Sequence, residues 1–395
     1  MLGDGTDVTD TSVFLSVGVA LIAALVLGEV VDRAGEPVIL GEILAGIALG
    51  TYMLGVIDPD GAFALLASIG AMLLLFDAGY EEIDLGKLEQ SGASVVVVAL
   101  LGVGVPAVAG FATGVVFGYD PTASAVLAIA FGVTSIGVSA RMLFDVDRLH
   151  TQYALHIVGV AALAEVVGLT AFSLLVTQQA GASLFQYVRI LALVAAFFAG
   201  VFVVYRLLIG RFARMLGGSN QPNSELIGIM GLLFLFGYAA DAVGLDAILG
   251  GLVAGLIVGT DRRFRRAQIR EGIVGIAYGV FIPLFFVSVG ARLDPSALLQ
   301  FDPFVATVVT AGVGAKVGGG YLGGRLVGHD HADALIVGIG LLPRAGAELI
   351  VATSALAAGI IDQRLFVAVL ALVLVSVLTA PLLLTRAIRR ADAST

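Results

Sequence analysis

Several residues of this chain place reactive groups in apolar surroundings. Glu165 is the only charge in Val160-Ala-Ala-Leu-Ala-Glu-Val-Val-Gly168. Lys316 stands in Gly314-Ala-Lys-Val-Gly-Gly319, and Thr134 and Ser135 interrupt Phe131-Gly-Val-Thr-Ser-Ile-Gly-Val-Ser-Ala-Arg141. Pro343, Arg344 and Glu348 share Leu342-Pro-Arg-Ala-Gly-Ala-Glu-Leu349. An ionisable side chain inside a membrane span costs roughly 2.5–3.5 kcal/mol on insertion scales, which makes it a functional candidate. A carboxylate, two hydroxyls and freed backbone carbonyls are hard oxygen donors, the kind that hard cations prefer. A carboxyl can instead hold a proton, but not both at once. The chemistry on offer is competition between H+ and a monovalent cation at Glu165, with Thr134 and Ser135 as further ligands. Lys316 is the charge partner. The only metal expected at Glu165 is such a monovalent cation, Na+ or Li+, with K+ as the alternative.

The spacing puts these groups at one depth. Glu165 lies 12 residues past Tyr153, about 18 Å at 1.5 Å per residue, near the middle of a hydrocarbon core about 30 Å thick. Lys316 is 14 residues past Asp302, Arg344 and Glu348 are 11 and 15 past Asp333, and Thr134 and Ser135 are 14 and 15 past Asp120. Glycines and hydroxyls interrupt one of these spans, and Pro343 removes a backbone donor from another. Both read as broken helices, which transporters use to aim half-helix ends and free carbonyls at an ion near the midplane. A bare proline kink is the simpler reading of the second. Against it, Arg344 and Glu348 at i, i+4 would neutralise each other on one face and support the break. Lys316 has three readings: a counter-ion that changes partner, a second proton carrier, or a fixed structural partner. Asp77, close to the inner end of the third segment, lines the cytoplasmic entry or is a solvated interfacial acid. Glu29 and Glu42 read as packing or interface groups. His150, His156, His329 and His331 form no metal-ligand constellation.

The elements that position these groups are membrane helices. Of 395 residues 59% are hydrophobic and 13% charged, against about a quarter charged in a soluble domain. Mean hydropathy is +1.05. The net charge of −9 and the absence of a polybasic tail argue against nucleic-acid binding. Without cysteine there is no disulfide or thiolate site. Thirteen apolar segments are expected: 13–31, 37–56, 61–79, 92–117, 121–144, 153–177, 184–209, 223–241, 245–260, 269–290, 302–325, 332–359 and 364–387. They are too long for barrel strands. Residues 1–12 carry three aspartates and no base, so the first segment is expected to be retained rather than cleaved as a signal. With the N-terminus outside and the C-terminus cytoplasmic, 16 of the 21 bases fall on inner loops and three on outer ones, the positive-inside pattern. The arginine cluster at 261–270 reads as a cytoplasmic anchor, with lipid headgroups as the alternative ligand. The broken segments are the fifth and twelfth. The expected fold is therefore an all-α polytopic membrane protein of about 13 transmembrane helices in a single domain. Two inverted six-helix repeats, about 13–177 and 223–387, flank a linker helix at about 184–209, with the broken helices crossing near the midplane.

These residues resemble the monovalent cation:proton antiporter superfamily, in the sodium/hydrogen exchanger domain of archaeal and bacterial type. The likeness covers nearly the whole chain. It is carried by Val38-Ile-Leu-Gly-Glu-Ile-Leu-Ala-Gly-Ile-Ala-Leu-Gly50, Leu75-Phe-Asp-Ala-Gly-Tyr-Glu81, Thr134-Ser-Ile-Gly-Val-Ser-Ala-Arg141, Ala247-Ile-Leu-Gly-Gly-Leu-Val-Ala-Gly-Leu256, Phe285-Phe-Val-Ser-Val-Gly-Ala-Arg-Leu-Asp294 and the Lys316 segment. No one motif decides; their order and spacing together do. The resemblance implies a secondary antiporter, not an enzyme, serving pH homeostasis in the cell membrane as a homodimer, with no cofactor. One departure stands out. The family usually carries Asp-Asp or Asn-Asp in its sixth helix, and this chain has Ala164-Glu165. Lys316 then lacks the first acid as partner and is free to bond Glu165 directly, which leaves stoichiometry and ion preference open. The alternatives are a non-transporting sensor homologue and a proton-coupled small-solute carrier, though few aromatic or Arg/Asn contacts reach the midplane. A Kef-type gated channel is disfavoured because only a short tail follows Arg390. An intramembrane enzyme is disfavoured because no paired catalytic acids or Ser/His pair share a depth.

Overall fold

The computed structural model describes residues 9–82, 85–179, 183–217, 221, 223–261, 263–264, 267–299 and 302–394. Among these, the regular elements are all helical. In chain order they are α1 (Thr9–Arg33), α2 (Val38–Leu49), α3 (Gly61–Asp77), α4 (Leu85–Val116), α5 (Pro121–Gly132), α6 (Ile136–Asp145), α7 (Gln152–Gln179), α8 (Leu184–Val203), α9 (Ile209–Gly217), α10 (Ser224–Ala242), α11 (Ala247–Gly259), α12 (Ala267–Ile276), α13 (Ile282–Ala291), α14 (Pro303–Leu326), α15 (His331–Gly340), α16 (Gly346–Ala357) and α17 (Gln363–Ser394). Aspartates at segment boundaries start several of them. Asp120 accepts from Thr122 N at 2.7 Å ahead of Pro121, Asp302 from Phe304 N at 2.8 Å ahead of Pro303, and Asp330 from Asp333 N at 2.8 Å. Side-chain caps followed by proline satisfy orphan N–H groups at a helix start.

Among the described residues, ten helices are long and apolar enough to cross a membrane, and four apolar helices are shorter. Segments 37–56 and 245–260 form helices of only 12 and 13 residues, about 18–20 Å long. An apolar run need not be helical throughout: α2 stops where Gly50 turns extended, and a turn carries the rest. The expected breaks are present. Segment 121–144 is α5 and α6, joined by non-helical residues, and segment 332–359 is α15 and α16. Within the arginine cluster at 261–270, residues 262, 265 and 266 lie outside the described residues, as do residues 1–8.

The helices pack as two bodies. In one, α1 and α13 pack on α2, α3 on α11 and α13, and α10 on α11. In the other, α4 packs on α5, α7 and α14, and α14 on α15 and α17, with α16 against α17, α5 and α7. The first is called the scaffold and the second the core. They meet where α6 touches α2 and α3 and where α17 touches α2.

Glycines hold the scaffold together. A Cβ on Gly46 would lie 2.1 Å from the Val287 carbonyl oxygen, and one on Gly290 would lie 2.1 Å from that of Ile43. Membrane helices use small residues for such approaches. Gly46→Val is therefore expected to destabilise the protein by about 1–3 kcal/mol or more, the cost of overpacking a tight contact. A lower melting temperature of the purified protein checks this, and an unchanged one would refute the packing argument.

A surface clasp closes the segment between α13 and α14 onto α17. Arg364 donates to Asp302 through Nε at 2.6 Å and Nη2 at 2.8 Å. This guanidinium holds the Asp302 carboxyl down at about 2, against an ordinary 3.8. A depressed folded-state value means the clasp contributes fully above the unfolded value and is lost as pH falls towards 2. Asp302→Asn should lower stability at neutral pH and flatten the acid limb of the stability–pH curve between those limits, so that variant and parent converge as pH falls towards 2. A parental acid limb in that variant would count against the clasp.

Candidate functional site

The two broken helices cross, and their non-helical stretches bond each other. Ser135 N donates to the Pro343 carbonyl at 2.9 Å. Thr134 Oγ1 donates to Leu341 O at 3.0 Å and Ser139 Oγ to Gly340 O at 2.8 Å. Ser135 Oγ caps α6 by accepting from Val138 N at 3.5 Å. Thr134 is fully buried and Ser135 nearly so. Each hydroxyl oxygen retains lone-pair capacity beyond the bond it makes.

The buried bases attend to the end of α5. Arg344 donates through Nε to Ala130 O at 3.1 Å, through Nη2 to Phe131 O at 3.0 Å and Gly312 O at 3.4 Å, and through Nη1 to Leu342 O at 3.1 Å. Lys316 Nζ donates to Gly132 O. Three consecutive carbonyls at the C-terminus of α5 thus receive cationic donors, where orphan acceptors and the negative end of the helix dipole favour them. Glu348 does the converse at the start of α16, with Oε2 accepting from Ala345 N at 3.0 Å. Two expectations are corrected here. The hydrogen bond of Lys316 goes to Gly132 rather than to Glu165. Arg344 and Glu348 are no direct ion pair among the described residues, because 341–345 is not helical and i, i+4 spacing does not bring them face to face.

Glu165, on α7, is 4% exposed. The acids facing it are Asp246 and Glu348, with the Asp246 carboxyl beside it. Asp246 belongs to the scaffold, where it caps α11 by accepting from Ile248 N at 2.9 Å. It was not anticipated from the sequence. A sign was there, an acid immediately ahead of the Ala247-Ile-Leu-Gly-Gly stretch, but it reads as a helix boundary.

Asp77 is apart from this group. It is buried at the end of α3 and accepts from Tyr278 OH at 3.2 Å, so it is no solvated interfacial acid. A cavity of about 780 Å³ opens between scaffold and core, lined among others by Asp58, Asp60, Asp241, Asp246, Ser288 and Leu349. Leu169, one turn beyond Glu165, also lines it. The cavity thus reaches the acid that faces Glu165.

An all-helical, multi-pass membrane protein with crossed broken helices and a buried acid at the seam of two bodies has the architecture of a secondary transporter. The sequence profile of the family described as sodium/hydrogen exchanger, transmembrane, matches residues 18–389, and the chain belongs to that family. It is 27% identical over 373 residues to the Na+/H+-K+ antiporter GerN of Bacillus cereus, covering 94% of this chain and 95% of that protein. It is 28% identical to a Na+/H+ antiporter of Enterococcus hirae, covering 92% and 95%. The fold is similar to the sodium proton antiporter MjNhaP1 of Methanocaldococcus jannaschii, with a TM-score of 0.69 over 94% of this chain and 96% of that one, at 16% identity.

Proposed function

We propose that this protein is a secondary antiporter that exchanges protons for a monovalent cation by competition at Glu165. Na+ is the foremost candidate, and the name of the Bacillus cereus relative supports K+ as an alternative. The observation that carries the reading is Glu165 itself. It is a buried acid on the core, facing an acid of the scaffold that lines a cavity. Deprotonated Glu165 gives the site its charge, and the Thr134 and Ser135 hydroxyls offer neutral oxygens. Protonation of Glu165 removes that charge and releases the cation. Of the three readings of Lys316, its bond to Gly132 O favours the fixed partner. Arg344, Glu348 and Pro343 hold the crossing in shape rather than bind the ion. In this reading the core moves against the scaffold to switch access. The thirteen segments form two inverted repeats, N-terminus outside and C-terminus cytoplasmic, in a homodimer in the cell membrane.

The test is reconstitution in liposomes loaded with a pH-sensitive dye, adding Na+, Li+ or K+ in turn. A cation-dependent proton movement that disappears in Glu165→Ala is the expected result. The same response in that variant overturns competition at Glu165, and no response to any cation in the parent protein overturns antiport. Repeating the measurement under an imposed membrane potential separates electroneutral from electrogenic exchange.

A further inference from the structure

Away from the cavity, one buried cluster joins the two bodies. Arg141, on α6 of the core, is 6% exposed. Its Nε donates to Asp145 on the same helix at 2.7 Å, and its Nη2 donates to Glu42 of α2 in the scaffold at 3.4 Å. The guanidinium carbon lies 5.4 Å from the ring centroid of Tyr278 and 5.7 Å from that of Phe286, both in the scaffold. Phe144 of the core stacks on Tyr278, centroids 4.6 Å apart, and Tyr278 OH donates to Asp77 of α3. One core arginine is thereby gripped from α2, from α13 and from the turn between α12 and α13. Arg suits this place because its planar fork pairs with carboxylates and stacks on aromatic faces together.

This cluster sits at the opposite end of the seam from the cavity. Glu42 is near the start of α2, whereas cavity-lining residues begin at Thr51, just past its end. Asp77 ends α3, whereas the cavity is lined by Ala64, Ala67, Ser68 and Ala71 of that helix. The seam is open at one end and closed by a buried charge at the other. The closure is not saturated: Arg141 Nη1, Glu42 Oε2 and Asp145 Oδ2 are buried and make no hydrogen bond among the described residues. A partly satisfied polar cluster is less firmly fixed than a fully bonded one.

We propose that Arg141 is a latch on the seam: its hold on Glu42 keeps the face opposite the cavity shut, and its release of Glu42 lets that face open while the cavity closes. Arg141 is a positioning residue, acting on the distribution between two arrangements of core against scaffold and not on the ion. The proposal rests on the alternating movement described under Proposed function. It assigns that movement a specific bond.

The chain has no cysteine, so one introduced thiol reports the arrangement. Ser288 lines the cavity and is 5% exposed, and Ser288→Cys changes only oxygen to sulfur. The measurement is the rate at which a hydrophilic maleimide modifies this thiol in the purified full-length protein. Adding Glu42→Gln removes the scaffold's charge and keeps its shape. The expected result is a fall in labelling rate of about threefold or more, as the cavity-open arrangement loses population. Arg141→Lys, which keeps the charge and loses the fork, is expected to lower the rate less, and it serves if Glu42→Gln fails to fold. An unchanged or faster rate in a variant that melts like the parent overturns the latch. Labelling needs no ion gradient, so a protein that proves not to exchange cations still answers this question separately.

Discussion

Glu165→Ala should leave liposomes that acidify or alkalise no faster with Na+ than without it. The variant removes the anionic ligand and the proton acceptor in one change, so cation binding and proton release fail together. Removing one partner from a buried charge interaction costs about 3–5 kcal/mol, and about 1.4 kcal/mol is tenfold in affinity. The half-saturating cation concentration therefore rises on the order of 100- to 4,000-fold, beyond any usable range. Glu165→Asp keeps the charge and withdraws the carboxyl by one methylene. Because a misplacement of about 1 Å can cost about 100-fold at a tightly built site, it should retain exchange at a raised cation requirement. A silent Ala variant beside a weakened Asp variant identifies the carboxylate as the functional group. Equal activity in all three proteins would remove Glu165 from the mechanism.

Arg344→Ala is expected to damage the fold before it damages transport. The side chain bonds four carbonyls, at Ala130, Phe131, Leu342 and Gly312. A buried acceptor left unsatisfied costs about 1–3 kcal/mol, and with some relaxation the sum is on the order of 3–5 kcal/mol. The purified variant should melt well below the parent and accumulate poorly. Arg344→Lys keeps the charge but cannot reach all four oxygens, so it should fall between. Pro343→Ala preserves the carbonyl that Ser135 uses and should cost much less. An Arg344→Ala protein that melts with the parent would mean these carbonyls find other donors, and the capping account would fail.

The breaks in the fifth and twelfth segments were legible because proline, glycine and hydroxyl residues interrupt an apolar run only at a cost that needs a reason. Common depth was legible because helical rise is constant. Partnerships were not. Arg344 and Glu348 look paired only if a helix runs between them, and the proline that signalled the break also removes that helix. Lys316 was matched to Glu165 by the charges available, yet carbonyls at the end of α5 compete for the same ammonium and carry no signature in side-chain identity. Asp246 escaped notice for a related reason: an aspartate before an apolar segment is usually a cap, and here it is a cap that also meets Glu165. Arg141 stood inside a recognised motif, but its grip on Glu42 joins positions 99 residues apart, and no local pattern encodes such a distance.

The glycine contacts of the scaffold carry a mechanical consequence. Backbones that leave no room for a methyl group between α2 and α13, or between α3 and α11 where Gly255 meets Phe76 O, cannot be squeezed further. Dense interiors of this kind transmit load instead of absorbing it. In the movement proposed above that bundle is a stator, and shape change is concentrated at its boundary with the core. Changes placed deep in the stator should then alter how much protein survives heating, whereas changes at the boundary should alter how fast each survivor turns over.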